Sequence, residues 1–133
     1  MKLITTIYLK ILLSLSFVFL LFHLLIILKI IPYNITWGGR LKTDEEMYTF
    51  EFISILINAF FIYILLQKGK FVKSIFNEKT ITVVLWFFFL LFSVNTIGNL
   101  LAKTIFEKVF TLVTLLNAFL LWKIIRAKEA NSK

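Results

Sequence analysis

Four apolar runs, at 11–28, 52–66, 81–97 and 109–122, decide what this chain can become. Each run with its flanks approaches the roughly 20 residues that an α-helix needs to cross a ~30 Å hydrocarbon layer. Soluble domains hold about 45–50% apolar residues and break their runs with polar positions. Here the apolar share is 60% and the mean hydropathy is +0.94. The expected fold is therefore all-α, a membrane-embedded antiparallel four-helix bundle forming one domain over 1–133. The patterning places helices at about 5–31, 44–67, 80–102 and 105–126. A cleaved leader is the rival reading of the first run, but an h-region spans only about 7–15 residues and ends at small residues. This run is longer and ends in Lys29-Ile30-Ile31-Pro32.

The remaining polar chemistry collects in the connection at 32–43 and the turn after it. That stretch holds the sole proline, the pair Gly38-Gly39, Trp37, Arg40, and the run Thr43-Asp44-Glu45-Glu46. The last four read as a capping box, in which Thr43 accepts from the amide of Glu46 and the Glu46 side chain reaches back. Thr104-Ile105-Phe106-Glu107 reads as a second one, and Gly69 as a helix stop. Lysine and arginine total ten on the side of the termini and five on the other. That asymmetry predicts cytoplasmic termini and an outward 32–43 loop.

Several chemistries are excluded. With no cysteine there is no disulfide or thiolate, and one histidine rules out a multi-histidine metal centre. No metal and no cofactor is expected. The formal charge of +8 sits at the ends of apolar runs, where it orients helices rather than binding nucleic acid.

Polar residues within the runs are costly, and an ionised group at mid-bilayer costs about 2.5–3.5 kcal/mol on insertion scales. Counted inward from the loop end at ~1.5 Å per residue, His23 and Asn95 lie about 12 Å deep and Glu51 about 10 Å. By the same rise Thr111 and Thr114 lie roughly 9 and 14 Å deep. Glu51, Ser54 and Asn58 share one helix face, as do Asn95 and Asn99, and Thr111, Thr114 and Asn117. The expected site is a polar slab under the loop, formed by His23, Glu51, Ser54, Asn95, Asn99, Thr111 and Thr114 and lidded by Trp37 and Arg40. Arg40 could hold a phosphate or carboxylate bidentately, or pair with Asp44 or Glu45. The plainer alternative is that these groups only bond neighbouring helices, at about 0.6 kcal/mol each. Glu51 stands apart, because a deep acid with no base a turn away on its own helix marks a functional site by default. His23 is its natural partner. The phenylalanine runs read as lipid-facing or core.

Two stretches, IPYNITWGGRLKTDEEMYTFE and WFFFLLFSVNTIGNLLAKTIFEKVFTLVT, carry a resemblance to small uncharacterised four-helix membrane proteins of Bacteroidetes-type bacteria. That resemblance implies a bacterial inner-membrane location and brings no activity with it. The chain also distantly resembles the emopamil-binding and sigma-2-receptor class, whose buried acids hold sterol-like or cationic amphiphilic ligands. There Glu51, His23 and Asn95 would stand for the site. The leading functional expectation is binding of a lipid or small amphiphile, with membrane lipids as the surroundings. A structural assembly partner is the alternative. An isomerase-like enzyme using Glu51 or His23 as catalytic proton shuttle is a third expectation, and a small transporter, which would need a homodimer, is a fourth.

Overall fold

The computed structural model describes the backbone of residues 2–129 and the side chains of 3–127. Lys2, Lys128 and Lys133, which enter the charge asymmetry above, lie outside the described side chains. The described residues form four long helices, α1 (Lys2–Ile27), α2 (Asp44–Lys68), α3 (Glu78–Leu100) and α4 (Ile105–Glu129). They run 23 to 26 residues and are long and apolar enough to cross a membrane. Two single 3-10 turns, Tyr33–Ile35 and Trp37–Gly39, shape the loop between α1 and α2.

The helix ends follow local chemistry that the apolar pattern hides. Helix α1 stops at Ile27, not at 31 as the pattern predicts. Pro32 disfavours helical backbone at the residue before it, so the chain must leave the helix upstream. It does so through a left-handed Lys29 (φ 56°), with Lys29 N–H on Ile26 O and Ile30 N–H on Leu25 O. This is a Schellman cap.

At the start of α2, Thr43 Oγ1 accepts from Glu46 N–H at 3.2 Å, but Glu46 reaches the amide of Lys42 rather than that of Thr43. The stop of α2 also differs from expectation. Gly69 keeps helical dihedrals and Lys70 takes the left-handed position at φ 58°. A Cβ at 69 would lie 2.3 Å from the Phe71 ring, so a larger residue there would require that exposed ring to move. Helix α3 begins at Glu78, where Asn77 accepts from Thr80 N–H at 2.8 Å, and ends at Leu100, two residues short of the expected 102.

Helix α1 packs most extensively on α2, and α3 on α4. Contacts between α2 and α3 are sparse. At the end holding the termini the four helices enclose a dry core that includes Leu12, Ile64, Leu65, Ile81, Leu85 and Leu121. Its connection is held by the buried Gln67, whose Oε1 accepts from Ile75 and Phe76 N–H at 2.9 and 3.1 Å. At the loop end the apolar core shrinks to Ile26, Leu41 and Met47. Outward-facing positions are strongly apolar, as at Leu3 (74% exposed) and Leu112 (71%). In water so much exposed apolar surface would drive association; facing hydrocarbon it is at rest.

Candidate functional site

Glu51 is the centre of the loop end. It lies one helical turn below Met47 on the inward face of α2 and is fully buried. Its Oε2 lies 2.6 Å from His23 Nδ1, and its Oε1 accepts from Trp37 Nε1–H at 2.7 Å. The Nδ1–Oε2 contact is a hydrogen bond whose donor depends on the histidine tautomer, while Oε1 accepts from the indole, so both carboxyl oxygens are engaged. One acid thus ties α1, α2 and the loop together.

The geometry of the loop makes the second of these contacts available. Trp37, Gly38 and Gly39 all have φ near +60°, a region that costs a side-chain-bearing residue about 1–2 kcal/mol. The turn brings the Trp37 indole N–H onto the buried Glu51 and lays the half-exposed ring against Phe50, with centroids 5.1 Å apart. It also aims Gly38 N–H at Glu107 Oε1 on α4. Glu107 is buried, and its Oε2 accepts from Thr104 Oγ1 at 2.8 Å. The second capping box is therefore only half made. Thr104 accepts from Glu107 N–H, while the glutamate side chain is turned to the loop.

Beneath the loop lies a cavity of about 370 Å³. Its polar lining includes His23, Glu51, Ser54, Asn58, Asn95, Asn99, Glu107 and Thr114. Two groups of aromatic rings wall it. Phe19, Phe22, Phe106 and Phe110 pack together from α1 and α4, with Phe106 and Phe110 centroids 5.1 Å apart. Phe61, Phe88 and Phe92 pack from α2 and α3, with the Phe61 and Phe88 rings 4.4 Å apart. On the cavity's floor Asn58 Nδ2–H donates to Ser16 O at 2.9 Å, joining α2 to α1, and Thr96 bonds Thr114 at 3.0 Å, joining α3 to α4.

Seven of the nine residues expected at the site line this cavity: His23, Trp37, Glu51, Ser54, Asn95, Asn99 and Thr114. Two do not. Arg40 is exposed on the far side of the turn, with its side chain folded back toward Gly38. Thr111 is turned away from the cavity, leaving its hydroxyl buried without a partner. Its place on the α4 stripe is taken by Glu107, one turn before it and lining the cavity.

Glu107 escaped the sequence reading because a capping glutamate explains itself. The phenylalanine walls escaped because long aromatic runs look the same facing lipid or a hollow. A signal was present: Phe88, Phe92, Asn95 and Asn99 recur at helical spacing, which puts rings and amides on one face. Among the described residues no group of three metal-ligating side chains converges.

No family model, no curated protein and no solved structure matches this chain. The function must be argued from the cavity itself.

Proposed function

We propose that this integral membrane protein binds a lipid or small amphiphile in the cavity under the 33–40 loop, in a bacterial inner membrane, with the termini cytoplasmic and the loop outward. One observation carries the reading: a cavity of about 370 Å³ that pairs aromatic walls with polar groups drawn from all four helices. Ligand sites in proteins are typically hollows of roughly 300–1,000 Å³, mostly apolar, with a few placed polar groups.

Native mass spectrometry from mild detergent tests the reading on the wild type, Glu51→Gln and Phe92→Trp. A discrete adduct on the wild type, lost when the larger ring fills the cavity and weakened in Glu51→Gln, is the expected result. Spectra without an adduct in all three would overturn it.

The second reading is a bundle whose polar groups only hold helices together. It draws on the closure of the Glu51 network, both of whose oxygens are already bonded within the protein. It predicts no adduct in any variant.

A further inference from the structure

The distribution of committed and uncommitted polar groups in the cavity narrows the ligand. Every carboxylate oxygen in the wall is already bonded. Glu51 accepts from Trp37 and faces the His23 ring, and Glu107 accepts from Gly38 N–H and Thr104 Oγ1. An ammonium ligand would find no carboxylate oxygen free of a protein donor and would have to share one with a buried group already bonded to it. An anionic ligand would meet two acids, with Arg40 outside the wall. Displacing one partner of a buried charge-assisted bond strands the other, at roughly 1–3 kcal/mol or more.

The uncommitted groups are of a different kind. Asn95 and Asn99 line the cavity one turn apart on α3, and neither amide bonds any described residue. Each offers two N–H donors and a carbonyl acceptor. His23 has its Nδ1 taken by Glu51, which leaves Nε2 as the ring nitrogen with no partner among the described residues. In hydrocarbon such groups remain expensive until something bonds them.

An approach is visible beside them. Helices α2 and α3 touch sparsely, Asn95 is exposed, and a Cβ built on Gly98 would meet nothing within 4 Å. The loop covers the cavity's end, so the open side faces the flank of the bundle, where lipid lies.

On the reading that the cavity binds an amphiphile, we propose that its ligand carries an uncharged hydrogen-bonding headgroup, a hydroxyl or carbonyl, that enters between α2 and α3 and is read by Asn95 and Asn99. The class is a neutral single-chain lipid. Its tail lies among the phenylalanine rings and its headgroup exchanges bonds with the two amides. The buried acids then serve to hold the cavity's shape; their charge selects against anions, and the protein donors already on their oxygens leave a cation no unshared carboxylate.

The test is scintillation-proximity binding of tritiated dodecanol to the full-length protein in non-ionic detergent. Unlabelled dodecanol, dodecylamine and dodecanoate compete, so that only the headgroup varies. Dodecanol should compete at least about ten-fold better than either charged analogue. Asn95→Leu and Asn99→Leu, near-isosteric changes on a membrane-facing helix, should each weaken dodecanol binding about five- to ten-fold, the size of one lost hydrogen bond. If dodecylamine or dodecanoate competes as well as dodecanol, or if both leucine variants bind dodecanol like the wild type, the headgroup assignment is wrong while ligand binding stands. If no labelled dodecanol is retained and native mass spectrometry finds no adduct, ligand binding falls with it.

Discussion

The two ends of this bundle are built from the same helices by opposite means. At the terminal end, branched aliphatic side chains fill the space between helices, and the buried Gln67 in the last turn of α2 pins the connection that follows. At the loop end the space is left hollow and shape is kept by bonds to two buried acids. The comparison shows how a small membrane protein can hold a cavity open. Packing fixes one end, so that directional bonds need only position the other.

Core truncation should separate the two ends most sharply. Leu121→Ala, at the fully buried terminal end, is expected to cost about 2–5 kcal/mol of unfolding free energy in bicelles. Phe92→Leu, on the cavity wall, should cost less, about 1 kcal/mol, because one side of its ring faces the cavity rather than packed side chains. Equal costs would show that the cavity is packed in the folded protein.

The acid network should show coupling instead. Glu51→Leu strands Trp37 Nε1–H and His23 Nδ1 and should cost roughly 2–4 kcal/mol. His23→Leu in that background should cost much less than in the wild type. A double-mutant cycle with no interaction energy would mean that the 2.6 Å contact does not bear on stability.

Gln67→Leu tests a buried polar device of the packed end. Loss of its two bonds to Ile75 and Phe76 should cost about 1–3 kcal/mol and speed amide exchange at those two positions. Lys70→Gly should act in the other direction. It relieves a left-handed lysine and should stabilise the protein by about 1 kcal/mol.

The smallest effect concerns the exposed Lys29–Asp44 ion pair at the loop end. Bonding to Asp44 holds the Lys29 amine above its ordinary 10.5, so its contribution is complete below that pH and is lost as pH rises past it. Lys29→Met should lower the thermal midpoint slightly at neutral pH and erase the further loss at alkaline pH, so that the two proteins converge there.

Much of this arrangement was legible in the residues themselves. Charge-free runs of the right length specify four helices, and helical spacing brings His23, Glu51, Asn95 and Asn99 to one level. What spacing cannot convey is three-dimensional competition for a donor. Glu107 reads as a cap because its sequence neighbour Thr104 is close, yet the amide that captures it belongs to Gly38, 69 residues away. Arg40 reads as part of a lid because it adjoins Trp37. Three successive left-handed residues turn the tryptophan in and leave the arginine out. Gly69 reads as the left-handed cap, yet it stays in the right-handed region and Lys70 takes that position.

The sparse seam between α2 and α3 means that the molecule is two helical hairpins lying side by side, covalently joined only through 69–77. Across that joint Gln67 already grips Ile75 and Phe76 without any covalent help. A chain nicked between 71 and 74 would keep this grip as a contact between two separate polypeptides. Two independently made hairpins therefore own, between them, every group needed to rebuild the cavity.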